Sequence, residues 1–170
     1  MTIKNHLLGL VQVHQQAYAR IFSALEAVSD TDYFADKRLF FSSIHGTLNH
    51  CLLVDTLWYF RLLQQRPPFT MTGLDMTLHD TREALQVALS RQAEKLFSFV
   101  GHSEDTVLNK TLIVKTSSGM EIHHPVSWLV ATVVNHGTHH RGQITAVLTQ
   151  MGLTFPALDL PFYENLPPAQ

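Results

Sequence analysis

The chain carries a single cysteine, Cys51, in 170 residues. An intrachain disulfide is therefore excluded, no Cys-x2-Cys pair exists, and the usage fits a reducing cytosol. No apolar run reaches the roughly 20 residues needed to span a bilayer. Residues 1–10 lack the basic-then-apolar layout of a signal peptide. A cytoplasmic protein with no membrane segment is the expectation. Charge of either sign is also scarce: charged residues make up 15% and the net charge is −2. Nothing basic points to a nucleic-acid partner, and no charge run suggests a tail. A Gly-rich phosphate loop and a Gly-x-Ser-x-Gly elbow are missing. So is the Glu-x2-His pattern of di-iron bundles, because neither Glu83 nor Glu94 has a histidine three residues on. What the chain does have is histidine, 11 copies against 12 Lys plus Arg.

The length suits one domain, 1–170, large enough to bury a core. Helical periodicity dominates. A first helix is expected over about 3–28, with the stripe Leu7, Leu10, Val11, His14, Tyr18, Ile21, Phe22 and Leu25. Ser29 to Asp32 reads as a turn cluster, and residues 32–41 as an aromatic-rich loop. A second helix is expected over about 42–65, stopped by Pro67-Pro68, with Thr47, His50, Leu53, Val54 and Leu57 inward. A third is expected over 78–100, capped by Thr77 and closed by Gly101. Thr111–Lys115 and Met120–His123 flank Thr116-Ser-Ser-Gly119, a β-hairpin pattern. Pro125 suits the first turn of a last helix over 125–151. The tail, 153–170, is proline-rich and expected to be extended, packing through Phe155, Leu160, Phe162 and Tyr163. Four amphipathic helices bury their stripes together, so the fold class expected is all-α, a four-helix bundle with a short hairpin before the last helix.

The last helix holds the informative stretch, Val133-Val-Asn-His136-Gly-Thr-His139-His140-Arg141-Gly-Gln143. His136 and His140 lie four apart and share one helical face with Leu129, Val133, Ile144, Val147 and Met151. An imidazole in an apolar stripe needs a partner, and a divalent metal ion supplies one to both. A third ligand from another helix would be His50 or His14, and spacing does not choose between them. Three neutral imidazoles suit Zn²⁺, Ni²⁺ or Fe²⁺ and leave a coordination position open. His139 reads as a rim residue or hydrogen-bond donor, and Cys51 as a small core residue. Arg141 reads as an ion-pair partner for another helix or chain. Asp55, off the His50 face, is open between a role behind the ligands and a pairing with Arg141. Trp58, Phe60 and Trp128 read as core or interface aromatics. His45, His79, His102, His123 and His124 read as surface or capping residues.

Asn49-His50, Asp55-x2-Trp58, the Ser43–Leu48 stretch and Asn135–Gln143 together resemble the DinB-like (DinB/YfiT) family over nearly the whole chain. The resemblance implies a bundle of up-down-down-up order and a metal triad of one histidine on the second long helix and two on the last. Carried to this chain, these are His50, His136 and His140, with His14 and His139 as further pocket-lining candidates. Relatives often carry Asn and Trp in the first helix, where this chain has His14 and Tyr18. The resemblance also implies a homodimer, which agrees with the apolar girth of the second long helix (Ile44, Leu48, Cys51, Leu52, Trp58, Tyr59, Leu62). Some relatives are thiol-dependent transferases. The function expected is therefore metal-dependent thiol S-transfer between a low-molecular-weight thiol and a small electrophile. A non-catalytic metal-binding bundle in stress response or partner recognition is the alternative, and a metal-dependent hydrolase is a remoter one.

Overall fold

The structure, a computed structural model, describes residues 2–163 and Leu166. Four long helices carry most of the chain, and their starts are set by hydroxyl caps. Thr2 accepts from the Asn5 amide and opens α1 (Ile3–Leu25). A short helix, α2 (Asp30–Phe34), follows and is capped by Ser29. Ser43 accepts from the Gly46 amide to open α3 (Ile44–Leu62), and Thr81 accepts from Ala84 to open α4 (Arg82–His102). One turn, α5 (Asp105–Leu108), precedes the antiparallel hairpin of β1 (Thr111–Lys115) and β2 (Glu121–Pro125). Then comes α6 (Val126–Gln150). Each such cap satisfies an otherwise orphaned amide, worth about 1 kcal/mol.

The departures from the sequence pattern have physical causes. Ser29 to Asp32 is not a turn: Ser29 takes the Asp32 amide, so the cluster starts α2 inside the expected loop. α4 begins at Arg82 rather than near 78, and Thr81 rather than Thr77 is its cap. The Leu78 and His79 amides are held outside the helix by Asn49 Oδ1, at 2.8 and 3.1 Å. Gly101 lies within α4, whose last turn is closed at Ser103. α1 and α3 are shorter than expected, and Pro125 sits at the cap of α6 rather than in its first turn. The hairpin turn is where the pattern put it, with Gly119 at φ +84°. A residue with a Cβ rarely adopts that angle.

Two apolar clusters show how the helices run. One joins Leu7 and Val11 of α1, Leu62 of α3, Leu96 and Val100 of α4, and Val126 to Val134 of α6. The other joins Tyr18 to Leu25, Ile44 to Leu52, Leu85 to Ala93, and Ile144 to Leu148. The start of α1, the ends of α3 and α4, and the start of α6 thus share one end of the bundle. The order is up-down-down-up. α3 and α4 run the same way, so residues 63–81 must cross back along the bundle between them. α1 and α3 each pack against both α4 and α6.

α3 is the central helix. Ile44, Leu48, Cys51, Leu52 and Leu62 are all buried within the chain, each large aliphatic side chain contributing about 1.5–3 kcal/mol. Trp58 and Tyr59, which belong to the same apolar girth, are half-buried. After Gly152 (φ +72°) the tail returns over α1. Its anchor is Tyr163, buried with Val13 and Ala17, and Arg20 lies 4.0 Å above the Tyr163 ring. Phe155, Leu160 and Phe162, expected to pack, are exposed. Residues 164, 165 and 167–170 of the expected tail lie outside the described residues. Among the described residues, no helix is long and apolar enough to cross a membrane.

Candidate metal centre

His50 reaches the site from the middle of α3, and its neighbour Asn49 explains why it is held there. Asn49 fastens the 63–81 crossover to α3, donating to the His79 carbonyl as well as accepting the two amides. The same crossover places the Leu74 carbonyl 2.8 Å from His50 Nδ1. A carbonyl oxygen has no proton to give, so Nδ1 is the donor and the Nε2 lone pair points into the bundle. Phe41 stacks on the other side of the ring, centroids 3.7 Å apart and planes 17° from parallel. On α6, His140 Nδ1 lies 2.8 Å from Gln143 Oε1, which likewise leaves its Nε2 as an acceptor.

Between these two lone pairs lies His136 Nε2, 3.0 Å from His50 Nε2 and 3.1 Å from His140 Nε2. The ligand atoms of the three residues all fall within 4.8 Å of one another. His136 Nε2 has at most one proton and can satisfy one neighbour only. A cation at the centre satisfies all three, and nitrogens each about 2.0–2.1 Å from one ion sit roughly 3 Å apart. The donor set fits a divalent metal.

The protonation states agree. Burial, with the neighbouring His140 second, pushes the His136 pKa down to about 4, and burial lowers His50 and His140 as well. All three are neutral and ligand-ready near pH 7. For the metal-free protein this has a consequence for stability. Unfolded chain binds a proton at an unperturbed histidine below about pH 6.5, whereas folded His136 does so only near 4. Stability is therefore expected to fall as pH drops through that window, by about 1–2 kcal/mol for this partly exposed ring. Urea unfolding between pH 7 and 4.5 measures it, and a His136→Gln variant should lose part of the slope. An unchanged slope would contradict the assignment.

The remaining candidates divide. His14 is not at the pocket mouth: it is 1% exposed, and its Nε2–H donates to Asp55 Oδ2 at 3.1 Å. His139 is exposed, its ring beside His140 and bonded to Gln143. Arg141 and Asp55 are both buried and do not pair directly, since Arg141 donates to His14 Nδ1 at 3.3 Å. The arginine thus meets Asp55 through His14. Tyr18 donates to the same Asp55 oxygen at 3.0 Å. Cys51 is buried, with its thiol pushed up to about 12 chiefly by burial, and is no nucleophile. His45 is buried against Asn49, not on the surface. Trp128, expected inside or in an interface, is exposed and stacks on His124.

Above the triad opens a cavity of about 460 Å³. Val54, Leu57, Trp58, Phe40 and Phe41 make its apolar walls, and the hairpin turn Thr116-Ser117-Ser118 lies across the rim. Arg61 adds a guanidinium, steadied by Lys115 O, Ser117 Oγ and the face of Trp58. Among the described residues no carboxylate lines this space. Neither the hairpin turn nor Arg61 carried a sequence signal for the site.

The DinB family model matches residues 1–169. The chain belongs to the DinB family. It is 30% identical over 159 residues to Protein DinB of Bacillus subtilis (strain 168), covering 91% of each chain. Its fold is similar to that of YfiT from Bacillus subtilis, described as a probable metal-dependent hydrolase with an unusual four-helix bundle topology. That likeness has a TM-score of 0.66 at 14% identity over 85% of this chain and 87% of that one. A DinB-like protein from Bacillus cereus ATCC 10987 is also similar, with TM-score 0.58 at 18% identity over 87% of this chain and 94% of the other. These structural likenesses carry the fold. In this DinB-family chain, three histidines from α3 and α6 stand where a divalent metal fits.

Proposed function

We propose that this DinB-family protein is a metal-dependent thiol S-transferase. The observation that carries the reading is a cavity with three neutral imidazoles at its base, a guanidinium at its edge and, among the described residues, no lining carboxylate. A divalent cation held by His50, His136 and His140 would lower the pKa of a thiol and keep its sulfur as thiolate. A thiol is several pKa units more acidic than water and ionises more readily on the metal, and among the described residues no carboxylate lines the cavity to assist a water molecule. Arg61 suits the carboxylate of a small cellular thiol, and the Trp58, Leu57 and Val54 wall suits the apolar part of an electrophile. Phe41 covers the His50 ring and keeps water from it. The Leu74 carbonyl and Gln143 hold the protons of His50 and His140 at Nδ1 throughout.

The transfer forms one sulfur–carbon bond and breaks the bond from that carbon to its leaving group. With monochlorobimane, chloride departs with the electron pair and the thiol proton passes to water. Expected are rates above background for zinc- or nickel-loaded protein with bacillithiol, glutathione or cysteine, and background rates for apo protein and for His140→Ala. Arg61→Gln should raise KM for a carboxylate-bearing thiol by about tenfold. Background rates in the loaded protein across these thiols would overturn the transferase reading. The likeness to YfiT favours hydrolysis as the second reading, which turnover of activated esters or amides by the loaded protein would support.

A further inference from the structure

The buried network around Asp55 is complete except at two atoms. Asp55 Oδ2 accepts from His14 Nε2–H and Tyr18 Oη–H. His14 Nδ1 accepts from Arg141, and Arg141 also donates to the Thr138 hydroxyl. Asp55 Oδ1, however, is buried with no partner among the described residues, and so is His136 Nδ1. Each atom alone is costly, because a buried polar group that gives up water without replacing it loses about 1–3 kcal/mol. Together they are complementary. Once His136 uses Nε2 as a ligand, its proton must stand on Nδ1, which makes that atom a buried donor. Asp55 Oδ1 is a charged acceptor with nothing to accept. The two side chains lie on the packed helices α3 and α6, and the field of Asp55 acts on His136.

The geometry points to Asp55 as the positioning residue of His136, its free carboxylate oxygen accepting the Nδ1–H of that ligand when metal is bound. The proposal rests on the three-histidine ligand set and not on thiol chemistry. It makes the three ligands alike in construction. Each ring then has an acceptor on its rear nitrogen: the Leu74 carbonyl for His50, Gln143 for His140, Asp55 for His136. Of the three acceptors only Asp55 is charged. A carboxylate behind an imidazole fixes the tautomer and raises the basicity of the ligand. His14 and Tyr18 contribute by pinning Oδ2, so that Oδ1 is the oxygen left to face α6. Arg141, through His14, balances the buried negative charge.

The test uses the full chain and zinc. Affinity is measured by competition with a chromophoric chelator for wild type, Asp55→Asn and His136→Ala, with apo folding checked by circular dichroism. Asp55→Asn keeps shape but has a neutral acceptor, and zinc should bind it 10–100-fold more weakly than wild type. Tyr18→Phe, which removes one pin of Oδ2, should show a smaller loss. In zinc-loaded wild type, ring-nitrogen NMR should show His136 with a slowly exchanging Nδ1–H. A crystal structure of that form should place Asp55 Oδ1 within about 3.2 Å of His136 Nδ1. Affinity of a folded Asp55→Asn within twofold of wild type overturns the proposal. So does a crystal structure in which Nδ1 meets another acceptor, an observation on wild type that stands even if the variant does not fold. If His136→Ala binds zinc as wild type does, the ligand set itself fails, and the proposal falls with it by a separate and visible route.

Discussion

His136→Ala is expected to weaken metal binding at least about a hundredfold while leaving a folded bundle. His136 Nε2 lies between the other two ligand atoms, at 3.0 and 3.1 Å, so its loss removes the centre of the triad. Structural zinc sites with four ligands bind with about 10–16 kcal/mol, roughly 3 kcal/mol per ligand, so one lost imidazole weakens affinity at least about a hundredfold. The fold should survive because the removed ring also carries an orphaned buried nitrogen and crowds two lone pairs. Metal binding to the native state only is linked to stability. At a thousandfold excess over Kd it adds about 4 kcal/mol, or about 10 °C in Tm for a chain of this size. Wild type should therefore melt about 10 °C higher with saturating zinc than without, and His136→Ala, at about tenfold excess over its own weaker Kd, only about 3–6 °C higher at the same zinc concentration. Elemental analysis together with the two melts decides it. Zinc occupancy of His136→Ala equal to wild type at a free zinc concentration near the wild-type Kd, or a zinc-dependent rise equal to wild type, would contradict the site.

Much of this molecule is readable from spacing alone, and the part that is not has a definite character. The stripes of α1, α3 and α6 repeat with the helical period, and the i, i+4 relation of His136 and His140 is a local fact. The hairpin turn is local too. The start of α4 is not, because Asn49, on another helix, captures the Leu78 and His79 amides that propensity would have spent on the first turn. Nor could spacing rank His50 against His14, since both face inward. Only the packing shows that His14 is already engaged by Asp55. Asp55 itself lies five residues after His50 and so off its face. Its partners come from α1 and α6, and no single-helix pattern brings them together. His14 and Tyr18 both bind Asp55 from α1. The apolar girth of α3 was readable, but composition does not choose between its two meanings, because a central helix and a helix awaiting a partner look the same.

Two glycines of α6, five residues apart, are expected to respond in opposite directions to the same substitution. Intrinsic propensity favours Ala over Gly inside a helix by about 1 kcal/mol at either position. At Gly142 nothing lies within 4 Å of an added Cβ, and the residue is exposed. Gly142→Ala should therefore stabilise by up to about 1 kcal/mol and raise Tm by about 2–4 °C. At Gly137, between the ligands His136 and His140, a Cβ would stand 2.6 Å from His14 Cε1, 2.9 Å from His14 Nδ1 and 2.5 Å from Arg141 Nη1. None of these can yield cheaply. The His14 ring is held by Asp55 on one side and Arg141 on the other, and both helices are packed. Overpacking of this kind costs about 1–3 kcal/mol beyond what propensity returns, so Gly137→Ala should melt about 2–12 °C below wild type. Pushing α1 from α6 also shifts His14 off Asp55 and moves the backbone that carries both histidines of α6, so zinc affinity should fall with stability. The pair is its own control: thermal melts of the two variants, run side by side without metal, must move apart. A Gly137→Ala variant that gains as much as Gly142→Ala would show that the close approach of His14 to α6 is absent in solution.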